Sequence, residues 1–429
     1  MPNEHRRRLQ NLADAHAAVD TCLRVHFIRD YVPGQVTYNL GEYPVPFSIA
    51  PTDYDEELLG TFAAHGVGLI QVHEEWNDSQ RLLGADKFTS HDPDGLHRFV
   101  DRVHSLGMKI IPYISTGFFD IKDPDFREEW YDPARSRLIE LYFDYAHCSP
   151  ASPGWRAYLL PRFERILDEY GFDGLYDDLG YHRHLEDLLS LVMDLVQERG
   201  GVLKCHGSPR EVTERVRTYD YLWIGEGAKD LDAMRREYRS WEPYISPCPD
   251  MSRAQVVDEN DLYLHTVPYL QFPLRVDGRP FTGERACLPG LAYQPEEKCF
   301  WTRHCRAIWR HYQQHPDGPY AYGWWDSCPG RPEARRIWLD HFDLYRPMVE
   351  NGGRAWLEIR TGDLFAAPVP EDLTASLFVN TETYLVLANY GEGPQTIAST
   401  WDWEDRRSGR QAREWTLRPR DLLFLKRVG

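Results

Sequence analysis

The chain has 429 residues, a formal net charge of −18, and hydrophobic residues at 42% of its positions. This length accommodates two or three domains, and the apolar content suffices for a substantial core, which argues against a disordered protein. The acidic balance argues against a nucleic-acid or anionic-membrane partner, because phosphate groups require a basic footprint. The oligomeric state stays open.

Targeting and cysteine patterns predict a cytoplasmic protein. No signal-peptide core follows Met1, and no apolar stretch approaches the roughly 20 residues that span a bilayer. The eight cysteines include no C-x-x-C pair, which favours free thiols in a reducing cytosol over disulfides or a zinc site. We therefore expect no metal and no organic cofactor.

Short apolar runs alternate with amphipathic segments through the first 350 residues. The first strand is open between three candidates, "CLRVHFI", "QVTYNL" and "VPFSIAP". The later strands are predicted at 66–76, 108–115, 172–178, 200–208, 219–227, 262–272 and 320–327, with helices at 92–107 and 155–171. Continuous apolar strands separated by helices indicate a parallel sheet, and eight of them predict a (β/α)8 TIM barrel over residues 1–352.

The pattern changes near Gly352 and Gly353. Beyond this point, "AWLEIR", "ASLFVN", "TYLVLANY" and "DLLFLKRV" are short strand-like runs separated by turn residues. They predict a small C-terminal all-β sandwich domain at 353–429.

Two carboxylates at predicted strand ends are candidates for catalysis. The active site of a TIM barrel lies at the C-terminal ends of its strands, where Asp178 follows strand 4 and Glu226 follows strand 6. Paired carboxylates are the minimal equipment for glycoside hydrolysis, one as nucleophile or base and the other as acid. Because neighbouring strand residues point to opposite faces, Asp178 is predicted as the nucleophile, Asp177 as a supporting residue and Glu226 as the acid/base.

The predicted substrate is a carbohydrate. Aromatic residues make up 13% of the chain, and aromatic rings suit the C–H faces of sugars, although they also fill cores. Lys204 or His206 is expected to help keep Asp178 ionised. The predicted substrate contacts are polar or aromatic residues near strand ends: Glu74, Trp76, Tyr113, Tyr176, Lys204, His206, Trp325 and Asp326.

The segment "CSPASPGWRAYLLPRFERILDEYGFDGLYDD" resembles the approach to the nucleophile in retaining α-glycosidases of families 36 and 27, the α-galactosidase group. Those enzymes carry a helix and then G-[IF]-D-x-[LI]-K-[WY]-D, whose last Asp, the nucleophile, corresponds to Asp178. The resemblance covers about residues 60–180 and implies a TIM-barrel retaining α-glycosidase. The motif's Lys is Tyr176 here, and the family's D-D-G-W loop corresponds to His73–Trp76, where only Glu74 and Trp76 keep the residue type. Galactoside specificity therefore does not carry over.

Two alternatives remain open. One is a metal-dependent barrel hydrolase, because His182 and His184 have the spacing of a metal-binding pair, although Glu226 stands where a further His would be wanted. The other is a non-catalytic carbohydrate-binding barrel, because the strand-4 Lys and the D-D-G-W loop are altered.

Overall fold

A computed structural model describes residues 2–28, 31–40, 48–77, 88–121, 123–135, 138–140, 143–178, 186–206, 220–224, 231–240, 245–247, 259–273, 275–279 and 332–429. The helices are α1 (Pro2–Ala18), α2 (Asp53–His65), α3 (Pro93–Ser105), α4 (Pro153–Tyr170), α5 (Glu186–Gln197), α6 (Leu231–Tyr238), α7 (Glu259–Thr266) and α8 (Pro332–Val349). The strands are β1 (Thr21–Ile28), β2 (Gln35–Asn39), β3 (Leu69–Val72), β4 (Lys109–Ser115), β5 (Phe118–Asp120), β6 (Leu138–Glu140), β7 (Phe143–His147), β8 (Gly174–Asp178), β9 (Val202–His206), β10 (Tyr221–Ile224), β11 (Ile245–Pro247), β12 (Arg275–Gly278), β13 (Gly353–Thr361), β14 (Leu373–Val379), β15 (Thr383–Asn389), β16 (Gln395–Asp405), β17 (Gln411–Leu417) and β18 (Leu422–Arg427).

Eight strands form a parallel sheet in the order β11-β10-β9-β8-β4-β3-β2-β12. The last strand, β12, pairs with the first, β2, which is the contact that bends a parallel sheet into a barrel. Within the described residues no pairing joins β11 to β12, the two edge strands of this sheet. The predicted (β/α)8 TIM barrel is confirmed.

The first barrel strand is "QVTYN", one of the three predicted candidates. The candidate "CLRVHFI" forms β1 instead, which pairs antiparallel with β13 of the C-terminal sheet. The division into 1–352 and 353–429 remains a proposal, and this pairing assigns β1 to the sheet of the second part.

The prediction of a barrel strand at 262–272 is wrong. This segment forms α7 and a short 3₁₀ helix, Val267–Tyr269, while the seventh and eighth barrel strands are β11 and β12. Three successive residues of α7, Leu262, Tyr263 and Leu264, are almost fully buried, so the helix has no polar face to reveal its period. The predicted strand at 320–327 lies outside the described residues.

The C-terminal domain is all-β, as predicted. Its strands form one antiparallel sheet in the order β1-β13-β14-β15-β18-β16-β17, and side chains from both halves of this sheet share one core. Helix α1 adds Ala15 and Ala18 to that core. Strands β16 and β17 were not predicted, because their exposed and buried residues alternate and their apolar runs are short.

Helix α4 and the turn after it deliver the central strand of the barrel. Pro153 opens the helix, the Ser152 side chain accepts a hydrogen bond from Trp155 N, and Gly171 ends it in the left-handed region at φ 73°. Asp173 then accepts hydrogen bonds from Ile110 N and His104 Nε2, both at 2.8 Å. These contacts fix where β8 begins beside β4.

Candidate active site

The carboxylate of Asp178 lies at the C-terminal end of β8, and both of its oxygens have hydrogen-bond partners. The hydroxyl of Tyr113 donates to Oδ2 at 2.5 Å, and Nδ1 of His206 lies 2.7 Å from Oδ1. An ionised carboxylate only accepts, so Nδ1 carries the proton in this contact. The Asp178 side chain is 12% exposed, so it is largely buried but still reaches solvent.

Strand register brings these three residues together. Tyr113 pairs with Tyr176, and Tyr176 with Lys204, so the three lie at one level of the barrel. Asp178 and His206 each follow two residues later on their strands and therefore point to the same face one level higher. That face is the barrel interior, at the end where TIM barrels place their active sites.

Asp177 points the other way and is fully buried. Its Oδ1 accepts a hydrogen bond from Thr116 N at 2.8 Å, and its Oδ2 lies 2.8 Å from Thr116 Oγ1. Burial, together with the neighbouring charge of Asp178, raises the pKa of Asp177 well above its usual range. The raised pKa favours the protonated form of Asp177, and its contacts with Thr116 tie the end of β8 to the end of β4.

The end of β4 is held to β8 a second time by Ser115, whose hydroxyl donates to the main-chain oxygen of Asp178 at 3.1 Å. Ser115 and Thr116 were missed by the sequence interpretation. Their signal was present, since two hydroxyl residues directly follow an apolar strand at its C-terminal end.

Tyr113 is the centre of a packed aromatic group. The ring of His73 stacks on it at 5.1 Å between centroids, and the ring of Tyr176 lies at 5.5 Å. Burial and the charge of Asp178 raise the pKa of Tyr113 well above its usual range, so its hydroxyl keeps its proton and donates. Tyr113 was expected to contact substrate, and in the structure it holds Asp178.

Trp76 was also expected to contact substrate, and the structure gives it a different position. It is fully buried, its Nε1 donates to Tyr113 O at 2.7 Å, and its ring packs edge-on against Phe172. It therefore supports the strand that carries Tyr113 and offers no ring face to a sugar.

Among the other predicted residues, Lys204 is fully buried, with Nζ 5.8 Å from the centroid of the Tyr176 ring. His206 was expected to help keep Asp178 ionised, and its contact with Oδ1 is consistent with this role. Glu74 lies in a 3₁₀ helix, Glu74–Trp76, and only its backbone is described. Glu226, Trp325 and Asp326, like His182 and His184, lie outside the described residues.

Within the described ranges no group of three His, Cys, Asp or Glu side chains could hold a common metal ion. In the same part of the chain, no helix is both long enough and apolar enough to cross a membrane.

Known structures share this fold. The α-amylase of Geobacillus thermoleovorans, solved with acarbose, superposes with a TM-score of 0.62 at 10% identity, covering 94% of this chain and 99% of its own. A maltogenic α-amylase of Thermotoga neapolitana gives 0.58 at 14% identity, covering 92% and 98%. The trehalose-6-phosphate hydrolase of Bacillus licheniformis gives 0.55 at 10% identity, covering 94% and 100%.

At this identity the likeness establishes the fold, a TIM barrel followed by an all-β domain. No protein-family model matches the sequence, and no curated protein matches it. The α-galactosidase group that the sequence resembles is not confirmed: two of these three structures are α-amylases and the third is a trehalose-6-phosphate hydrolase.

Proposed function

We propose that this protein is a retaining glycoside hydrolase that cleaves an α-glycosidic bond with Asp178 as its nucleophile. The observation that carries the proposal is the Asp178 carboxylate, held on one oxygen by Tyr113 and on the other by His206 at the C-terminal end of the fourth barrel strand. The fold supports the same reaction class, because its neighbours include two α-amylases and a trehalose-6-phosphate hydrolase.

The reaction proceeds in two displacements. An oxygen of Asp178 bonds to the anomeric carbon while the glycosidic C–O bond breaks and an acid protonates the departing oxygen. Water then attacks the same carbon, the former acid takes a proton from it, and Asp178 leaves as a carboxylate. Glu226 is our candidate for this acid/base, because it follows the sixth barrel strand in sequence.

Tyr113 and His206 hold the carboxylate of the nucleophile, Asp178, in place. Each carboxylate oxygen has two lone pairs, and the hydrogen bonds to Tyr113 and His206 each use one pair of a different oxygen. Both donors stabilise the negative charge of Asp178 before attack and after release. Asp177 is turned outward onto Thr116, and burial raises its pKa, which disfavours a second negative charge beside Asp178.

The experiment is chemical rescue of the nucleophile. We expect Asp178→Ala to lower kcat on an activated aryl α-glycoside by about 1,000-fold or more, because the covalent intermediate is lost. Azide should restore turnover by attacking the anomeric carbon from the vacated face, which gives a β-glycosyl azide. Asp168→Ala, which removes an exposed carboxylate paired with Arg199, is the control and should leave kcat unchanged.

The outcome also tests the alternatives. If no activated glycoside is cleaved by the wild-type protein and sugars still bind, the barrel is a carbohydrate-binding protein. Metal found in protein purified without added metal, with activity lost on chelation, would favour the metal-dependent hydrolase.

One contact favours a second candidate, a hydrolase in which Asp178 orients His206 as a general base. The 2.7 Å contact between Nδ1 and Oδ1 is the arrangement in which a carboxylate fixes the tautomer of a catalytic histidine. In that case azide does not rescue Asp178→Ala, and His206→Asn lowers kcat as far as Asp178→Ala does.

A further inference from the structure

The inside of the barrel beneath the site is polar along β2 and β3. Thr37 of β2 pairs with Gln71 of β3, so the two side chains lie at one level on the same face of the sheet. Thr37 is 0% exposed and Gln71 is 1% exposed. TIM-barrel interiors are usually filled by layers of branched apolar side chains, so a threonine beside a glutamine at this depth requires a physical reason.

Both side chains point into the barrel. Tyr38, the residue after Thr37, packs outward: its ring lies 5.4 Å from Phe99 of α3, and its hydroxyl donates to Asp55 of α2 at 2.6 Å. Thr37 therefore faces inward. Two residues beyond Gln71, His73 stacks on Tyr113, whose hydroxyl contacts Asp178, so Gln71 faces the interior directly below the site.

These groups lack partners among the residues that the structure describes. Neither polar atom of the Gln71 amide nor the hydroxyl of Thr37 has a hydrogen bond there. Gln35 and Asn39, the inward residues below and above Thr37, each have one side-chain oxygen in the same condition. An unpaired buried polar group costs about 1–3 kcal/mol, so four such side chains on two neighbouring strands would destabilise the barrel considerably.

We propose that the barrel binds a short file of water molecules along the inner face of β2 and β3, anchored by Gln71 and Thr37. The amide and the hydroxyl both donate and accept, and water is the small neutral ligand that does both. Successive inward residues lie about 6.6 Å apart along a strand, which is more than two hydrogen bonds of about 2.8 Å can span, so two linked waters bridge this distance.

The sign of a stability change tests the proposal. We expect Gln71→Met, which keeps the length of the side chain, to lower Tm by about 2 °C or more, because the waters lose their main anchor. A dry interior predicts the opposite sign, since methionine then replaces an unpaired amide with an apolar group. An unchanged or raised Tm would overturn the proposal.

Gln271→Met is the matched control. Gln271 is equally buried, and its Nε2 donates directly to Tyr238 O at 2.7 Å, so this variant calibrates the loss of one direct buried hydrogen bond. Should Gln71→Met fail to fold, Thr37→Ser and Thr37→Val form a second pair. The serine keeps the hydroxyl and is expected to retain a higher Tm than the valine, and the reverse order contradicts the proposal.

A crystal structure of the full chain gives the direct result. We expect ordered water within hydrogen-bond distance of Gln71 and Thr37. A protein side chain on the Gln71 amide would overturn the proposal. The water file does not rest on the proposed function, since it would be found in an inactive barrel as well.

Discussion

At the scale of single residues, Asp177 and Asp178 are neighbours with opposite surroundings. Asp177 is turned outward, fully buried and bonded to Thr116, whereas Asp178 is turned inward with two donors on its carboxylate. Burial raises the pKa of Asp177, and the alternation of side chains along β8 separates the two residues. The same substitution should therefore have different effects at the two positions.

We predict that Asp177→Asn keeps near-normal kcat and that Asp178→Asn abolishes turnover. Thr116 N donates to Oδ1 of Asp177 and Thr116 Oγ1 donates to Oδ2, and the asparagine amide keeps an acceptor for the first contact and offers an N–H donor to the hydroxyl in the second. Because the folded pKa of Asp177 is raised, the acid destabilises the fold as the pH rises above about 4, and Asp177→Asn removes this loss. Its Tm at pH 7 should equal or exceed that of the wild type. A Tm below that of the wild type would indicate that Asp177 is ionised.

Removing the Tyr113 hydroxyl isolates its contact with the nucleophile. A hydrogen bond to a charged group contributes about 1.5–3 kcal/mol, so we expect Tyr113→Phe to lower kcat about 10- to 100-fold with a small change in KM. Tyr158→Phe removes a hydroxyl bonded to Asp125 outside the site and serves as the control. If both variants had equal kcat values, the Tyr113 hydroxyl would have no role in catalysis.

At the scale of elements, His341 joins two helices to the C-terminal domain. It lies on α8, its ring stacks on Tyr263 of α7 at 4.1 Å, its Nε2 donates to Asn260 Oδ1, and its Nδ1 accepts from Arg407. Burial and the charge of Arg407 lower its pKa to about 3. The neutral ring is therefore part of the packing between these elements.

This junction predicts acid sensitivity. The folded pKa is depressed, so the stabilisation is complete above the unfolded value of about 6.5 and is lost as the pH falls from there toward 3. The free energy of unfolding should fall by about 2 kcal/mol between pH 7 and pH 5 through this residue. His341→Gln keeps a donor and an acceptor but does not titrate, so denaturant titrations should show a flatter pH dependence. An unchanged slope would contradict the assignment.

At the scale of the whole molecule, the two ends of the chain build one sheet. β1 pairs with β13 from Thr21↔Thr361 to Ile28↔Gly353, and Arg427 forms an ion pair with Asp14 of α1. The C-terminal sheet therefore depends on residues more than 300 positions away.

We predict that deleting residues 1–28 lowers Tm and exposes β13 as a new edge strand. Hydrogen exchange should show that the β13 amides facing β1 lose protection while those of the barrel strand β8 keep theirs. Arg7→Ala is the control. It removes an exposed ion pair between Arg7 of α1 and Glu382, and it should leave Tm nearly unchanged. Equal protection of β13 in the deletion variant would mean that the sheet does not need β1.

Several elements could be predicted because their signal is local. β3, β4, β8 and β9 lie in short, mainly apolar runs with polar residues at the end, and α3 and α4 follow the helical period and end beside glycine. Position at a strand end was enough to select Asp178, and alternation was enough to separate it from Asp177. The prediction of a strand at 262–272 failed because a short run that is buried on every side shows no helical period in its sequence.

The sequence alone predicted alternating strands and helices, a change to an all-β pattern near Gly353, and an acid at the end of the fourth barrel strand. Only the tertiary structure decided that Tyr113 and His206, 65 and 28 residues from Asp178, hold its two oxygens, that Trp76 is a core residue, and that β1 belongs with the C-terminal sheet. The physical reason is that strand pairing and register are long-range choices, made by burial across the whole molecule.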